Sequence, residues 1–253
     1  MIRPSPLADP VLADITRTIV ERCRPRRVVL YGSRARGDEH AESDYDLMVE
    51  VDGRRPERLE PALNSVMDDH DWDADVWVVT PARFVEERTD VGLLAYQIAR
   101  EGIVLYADEG VSRELTPPPA VRERPPGPPR SLSLWLCRAE NDYATAHHML
   151  RRDPPITDAV VFHAHQSAEK FLKAVIVSQW RPVRKTHRLG KLLDLCPADL
   201  MLDPDVRHAC AVLLCGYRKS RYPLWEEPSD DDANSAAAAA TVVRAAALRV
   251  LES

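Results

Sequence analysis

The sequence predicts a two-part chain: an α+β domain built on a small mixed sheet flanked by helices, followed by an all-α bundle of four or five helices. Three observations predict it. Prolines cluster between Pro117 and Pro129, helical and β-branched segments alternate ahead of that cluster, and behind it one helical period follows another with no strand-like alternation. A length of 253 residues with 45% apolar composition supports one large domain or two small ones, with a real core.

The boundary follows from proline. The chain has 21 prolines against nine glycines, and seven of the prolines fall in 117–129, where a packed helix or central strand could not hold them. Residues 109–130 are therefore expected to be a semi-rigid, polyproline-rich linker between a domain over 1–108 and one over 131–253. The two sides differ in charge. Residues 1–108 carry 14 basic and 22 acidic side chains, net −8, whereas 109–253 carry 20 and 18, net +2, and hold all five lysines. The overall charge of −6 excludes a polybasic nucleic-acid or membrane binder as a whole, although a local basic groove stays open.

In the first half, Leu7, Val11, Leu12, Ile15, Ile19 and Val20 keep a helical period over 7–23, and Val28-Val29-Leu30-Tyr31 then reads as a strand. A second strand is expected at 45–51, a helix over 56–69, a third strand at 75–79, helices over 81–100 and a short strand at 103–106. In the second half helices are expected over 132–150, 157–179, 187–195, 204–216 and 230–251, the last opening on Asp230-Asp231-Asp232 and running into five alanines. Four such helices or more pack naturally as a bundle.

No apolar run approaches the ~20 residues that span a bilayer, and the N-terminus lacks a signal-peptide apolar region, so a cytoplasmic protein without a membrane partner is expected. Cys23, Cys137, Cys196, Cys210 and Cys215 are odd in number and never spaced Cys-x-x-Cys, which points to reduced, mostly buried thiols.

The chemistry concentrates in Tyr31-Gly32-Ser33-Arg34-Ala35-Arg36-Gly37 and, six residues on, Asp44-Tyr45-Asp46. Alternation along a strand puts Asp44 and Asp46 on one face about 7 Å apart, close enough for a bound cation to join them. Hard oxygen ligands of this kind select Mg²⁺ or Mn²⁺. A third carboxylate on a neighbouring strand would complete a two-metal site, and Asp75 heads the apolar run Val76-Trp77-Val78-Val79. Asp71 and Asp73 compete for that role, but only Asp75 abuts the apolar run, and Asp38, Glu39 and Glu42 read as a solvated loop. Gly32-Ser33, after a strand and before a short helix, offers close backbone approach, a hydroxyl and free amides, which suits a phosphate. No Walker lysine follows.

These motifs resemble the minimal nucleotidyltransferase branch of the DNA polymerase beta superfamily, over about residues 10–107. The resemblance implies that Gly32 and Ser33 hold the terminal phosphates of a nucleoside triphosphate, ATP or another, and that Asp44 and Asp46 bind Mg²⁺ with Asp75 as third ligand and activator of an acceptor hydroxyl. It leaves Arg36 as a phosphate or structural partner.

Behind the linker, Trp135 through Tyr143, Phe162 through Ala174, Thr186-His187-Arg188-Leu189 and the stretch from Tyr217 to Arg221-Tyr222-Pro223 together resemble a HEPN domain over about 131–251. Gln166, Glu169, Lys170 and Lys173 share one helix face, read either as a solvated stripe or as a groove lining where Lys170 or Lys173 meets phosphate and Glu169 an acceptor hydroxyl. Arg221 and Tyr222 are further candidate contacts. His163 and His165 fall on different faces, one read as satisfied in the core and one as partly exposed. Trp135, Trp180 and Trp225 read as core or interface aromatics. Some HEPN domains are ribonucleases with Arg, four to six residues, then His; Arg181 and His187 meet that spacing, but Pro182 interrupts it. Together the resemblances imply a homodimeric, toxin–antitoxin-related transferase that moves a nucleoside monophosphate to a hydroxyl of a protein, RNA or small molecule and releases pyrophosphate. The alternatives are a HEPN ribonuclease toxin fused to its antitoxin, an aminoglycoside-type antibiotic nucleotidyltransferase, and a catalytically silent scaffold.

Overall fold

Asp9 sets where the first element begins. Its carboxylate accepts from the amides of Val11 (3.0 Å) and Leu12 (3.4 Å), and Pro10 needs no amide partner, so α1 runs Pro10–Cys23. The structure, a computed structural model, describes residues 8–40, 43–53, 56–119, 127–183, 186–221 and 227–252. Glu42, Tyr222, Trp225 and the middle of the expected linker, 120–126, lie outside the described residues. The chain divides into two compact units, Met1–Pro125 and Pro126–Ser253.

After α1 the first unit continues with β1 (Arg27–Tyr31), α2 (Gly32–Arg36), β2 (Tyr45–Glu50), α3 (Pro56–Asp69) and β3 (Ala74–Val79). It closes with α4 (Pro81–Glu87), α5 (Leu94–Glu101) and β4 (Ile103–Ala107). The helices expected over 81–100 are two, α4 and α5, divided where Asp90 turns the chain, its side chain accepting from Gly92 N (3.0 Å) and its carbonyl from Leu93 N (3.1 Å). The four strands form one mixed sheet in the order β3-β2-β1-β4, with β2 and β3 parallel and the other pairs antiparallel. Alternation then sorts the side chains. Val28, Leu30, Leu47, Val49, Val76 and Val78 pack with α1 and α3, while Val29, Met48 and Val79 pack with Phe84 of α4 and Ile98 of α5. Part of the expected linker joins this unit, since Leu115 packs against the second of these cores and Arg88 donates to the carbonyl of Pro117.

The second unit consists of α6 (Ser131–Leu150), α7 (Thr157–Ser178), α8 (Leu189–Leu193), α9 (Ala198–Met201), α10 (Pro204–Arg221) and α11 (Asp230–Glu252). Four are long, and α7 packs against α6, α10 and α11, which makes it the middle of the bundle. Close approach is built in. A Cβ on Gly216 would meet Val161 Cγ1 at 2.7 Å, so α10 keeps a glycine that costs an exposed helix about 1 kcal/mol. The alanines of α11 serve the same end, with Ala236, Ala240, Ala246 and Ala247 buried in the bundle core. Helix α10 runs past the expected stop at Gly216, whose missing side chain makes room for Val161. Short α9 was not expected. No described helix is long and apolar enough to cross a membrane, and the five cysteines form no disulfide, with Cys137 and Cys215 exposed and the other three buried.

Candidate active site

Strand register sets two of the predicted side chains in a row with a tyrosine. Tyr31 of β1 stands opposite Asp46 of β2, and Asp46 stands opposite Asp75 of β3, each step being about 4.8 Å across the sheet. Asp44 precedes Asp46 by two residues and shares its side of the strand. Their exposure is graded: Asp46 is 3% exposed, Asp44 half-buried and Asp75 exposed. A buried carboxylate is held in place, whereas an exposed one can reach a second molecule.

The turn after β1 closes on this row. Gly32 has φ +75°, and a Cβ there would lie 2.0 Å from Asp46 Oδ2, inside any tolerable contact. The glycine is required twice over, by its left-handed backbone and by the carboxylate lying against it. Tyr31 reads the resulting electrostatics. Burial first, then the negative charge of Asp46, Asp75 and Asp44, raises its hydroxyl far above the ordinary value.

The donors are hard carboxylate oxygens, the chemistry a divalent cation selects, and they crowd one end of two paired strands. Among the described residues, however, no three His, Cys, Asp or Glu side chains stand close enough to hold a metal ion. The chain thus supplies fitting donor types and a shared location, with the carboxylates not drawn into a finished cage.

Arginines on α2 fix the surroundings. Arg34 donates through Nε to the carbonyls of Ser43 (3.0 Å) and Asp44 (3.2 Å) and through a terminal nitrogen to Ser43 (2.6 Å), and it stacks on the Tyr45 ring at 3.9 Å. The Tyr45 hydroxyl in turn donates to Asp9 Oδ2 (2.8 Å). Arg36 is held by Glu101 of α5 (2.7 Å) and by Asp38 (3.3 Å), which ties α2 to α5. Of the rivals to Asp75, Asp73 gives its carbonyl to Tyr45 N (2.8 Å) and Asp71 sits in a left-handed turn at φ 55°, both with exposed side chains.

In the helical unit the expected polar stripe of α7 is neither solvated nor open. Glu169 and Lys173 are buried and pair at 2.6 Å, and Glu169 Oε2 also takes His187 Nδ1 at 2.9 Å. Burial opposes the charge of Glu169, but Lys173 and His187 outweigh it and hold the carboxyl below its ordinary value. Lys170 bonds Asp142 of α6 and Gln166, while Asp142 also takes His163 Nδ1 at 2.8 Å. Lys173 lies 5.2 Å above the Trp135 ring. The stripe is therefore an internal network facing α6, because α6 carries Asp142 and Trp135 where α7 carries its polar residues.

His165 is completely buried and stacks on Tyr217 at 4.1 Å. Contrary to the expectation of a satisfied core histidine, neither ring nitrogen closes a hydrogen bond of ordinary geometry, although the His187 main chain lies near enough to favour the proton slightly. Arg181 donates to the carbonyl of Leu195, and Trp180 Nε1 to Gly127 (3.2 Å). Arg221 ends α10.

Reading from sequence alone passed over Arg34, Tyr31, Tyr45 and Asp9. One signal was available: alternation puts Tyr45 on the face opposite Asp44 and Asp46, toward α1, where an arginine one residue past Ser33 can meet it. The Glu169–His187 contact carried no such signal, because 18 residues and a turn separate the partners.

Residues 13–110 match the family described as polymerase beta, nucleotidyltransferase, and residues 132–250 match the HEPN domain. Among solved structures, TT1696 from Thermus thermophilus is 24% identical with a TM-score of 0.43, covering 47% of this chain and 98% of its own. ST0689, described as an archaeal HEPN homologue, is 23% identical with a TM-score of 0.38, covering 47% of this chain and 95% of its own. No curated protein matches the chain.

Proposed function

The chain is a fusion of a polymerase beta nucleotidyltransferase domain with a HEPN domain, and from that premise we propose that it transfers a nucleoside monophosphate, AMP from ATP, to an acceptor hydroxyl. One observation carries the reading: the Gly32 backbone lies against Asp46 while Asp46 stands in register with Asp75, so a phosphate turn and two carboxylates share one end of the sheet.

In this reading the main-chain amides at Gly32 and Ser33, with the Ser33 hydroxyl, receive the terminal phosphates. Asp44, Asp46 and Asp75 would hold Mg²⁺ or Mn²⁺, which when bound neutralises the triphosphate and the departing pyrophosphate. Asp75, the exposed member, orients the acceptor hydroxyl and accepts its proton at a carboxylate oxygen. The hydroxyl oxygen forms a bond to the α-phosphorus, the bond to the bridging α–β oxygen breaks, and pyrophosphate leaves. Arg36, engaged by Glu101 and Asp38, serves by fixing α2 and meets phosphate only if that pair opens.

The helical domain shapes the acceptor site, and the assembly is a homodimer in the cytoplasm, where five cysteines that form no disulfide fit a reducing compartment. The acceptor is a protein or nucleic-acid hydroxyl in a toxin–antitoxin setting rather than an antibiotic. The buried pairs of Glu169, Lys170 and Lys173 support a structural part for them, with direct acceptor contact dependent on their opening. A ribonuclease reading has one observation in its favour: Glu169 orients His187, whose side chain is 56% exposed. Against it, Arg181 is engaged by the Leu195 carbonyl.

The test is an incubation of the full chain with each α-³²P-labelled nucleoside triphosphate, Mg²⁺ and cell lysate, scored for label on protein, RNA and small molecules. Label that Asp46→Asn abolishes is the expected result. Transfer undiminished in Asp46→Asn overturns the site, and RNA cleavage lost in His187→Ala would reverse the ranking of the two readings.

A further inference from the structure

The guanidinium of Arg34 joins the turn after β1 to the segment that delivers the carboxylates. Sheet pairing holds β2 only from Tyr45 onward, so Ser43 and Asp44 stand outside the strand and need another anchor. Ser43 N donates to the His40 carbonyl (2.9 Å) and Ser43 Oγ accepts from His40 N (3.0 Å), and Arg34 adds three donations to the two successive carbonyls. The stacked Tyr45 ring keeps the fork flat against the segment, and the Tyr45 hydroxyl is pinned by Asp9, the residue that caps α1. A planar fork that stacks and bonds two acceptors at once is a property of arginine, and a lysine ammonium cannot reproduce it.

We infer that Arg34 is a positioning residue for the cation ligands Asp44 and Asp46, an inference that rests on the nucleotidyltransferase reading. Two carboxylates two residues apart repel each other, and in the absence of a cation that repulsion favours their separation. Anchoring the main chain at Asp44, with sheet pairing holding Asp46, limits how far the two carboxylates can move apart, so that less order remains to be imposed when a cation arrives. Arg34 acts on main-chain oxygens in these bonds, so its part is geometric and not simple neutralisation of the acidic site.

The test uses the full chain, a non-hydrolysable ATP analogue, and Mn²⁺ titrated with the electron paramagnetic resonance signal of free Mn²⁺ as readout. Hydrogen exchange of the 43–46 amides is followed in parallel. Wild type binds Mn²⁺ and Asp46→Asn does not. Arg34→Ala and Arg34→Lys both weaken Mn²⁺ binding by roughly 10–100-fold, the usual cost of removing a residue that orients metal ligands. Exchange accelerates at 43–46 and stays unchanged in β1. Failure of lysine to rescue separates this role from a contribution of charge. Should Arg34→Ala not fold, Arg34→Lys and Tyr45→Leu decide, Tyr45→Leu giving a smaller loss in the same direction. Folded Arg34 variants that bind Mn²⁺ within about twofold of wild type overturn the inference, as does exchange that accelerates equally across the unit. Wild type that binds no better than Asp46→Asn removes the nucleotidyltransferase reading itself, and this inference with it.

Discussion

His165 is the least expected residue of the helical unit, a fully buried imidazole whose burial pushes its pKa down to about 4, with Glu169 opposing that shift and the charges of His187 and Lys170 adding to it. Ordinary histidine titrates near 6.5, so between pH 6.5 and 4 the unfolded chain takes up a proton that the folded chain refuses. Stability from this group is full above pH 6.5 and falls as pH is lowered through that window, by ~3 kcal/mol in all. His165→Phe keeps a ring against Tyr217 and removes the titration. In urea unfolding at pH 7 and pH 5 the variant should lose about 2 kcal/mol less than wild type on acidification; equal losses would place the acid sensitivity elsewhere. The position of His165 on its helix face was readable from a 3.6-residue period, but the lack of an ordinary hydrogen bond at its ring nitrogens was not. Whether a core polar atom finds a partner depends on what the other helices bring to it, and no local pattern encodes that.

At the scale of elements, β3 is an edge strand that the protein keeps from pairing outward. Asn64 of α3 accepts from Val76 N (2.9 Å) and donates to Val76 O (3.0 Å), while Glu60 accepts from Val78 N (2.8 Å). Two side chains one helical turn apart thus stand in for a missing fifth strand. Asn64→Leu fills similar space but strands both Val76 groups, and a loss of about 1–3 kcal/mol in chemical denaturation is expected, with a greater tendency to self-associate in light scattering. An unchanged midpoint would mean that water replaces the amide without cost. The elements of the candidate site were legible because Asp44, Asp46 and Asp75 sit in or beside strands whose β-branched runs and alternation are unambiguous, and because Gly32-Ser33 follows one of them directly. The polar face of α7 was legible as a face only. Its partners on α6, Asp142 and Trp135, lie more than twenty residues away along the chain, so the same period describes a solvated stripe and a buried network equally well.

For the whole molecule, the expected domain limits at 108 and 131 rest on composition, and composition does not see what a single leucine packs against. Leu115 lies inside the segment read as linker, yet it packs beside Val29 and the α5 core, near enough to Gly102 that a Cβ there would meet it at 2.9 Å. The Arg88 contact to Pro117 extends the same attachment. A fragment ending at residue 108 therefore exposes a patch of the sheet core that a fragment ending at 119 covers. Burial of a partly exposed leucine contributes about 1–2 kcal/mol. Fragments 1–108 and 1–119 should both fold, because α1, α3, α4 and α5 already enclose the sheet, but the shorter should unfold at a lower urea midpoint with a similar slope. Leu115→Ala in the longer fragment should reproduce most of that difference, which separates packing by the leucine from a general effect of chain length. Equal midpoints for the two fragments would return 109–119 to the linker and put the end of the first domain back at 108.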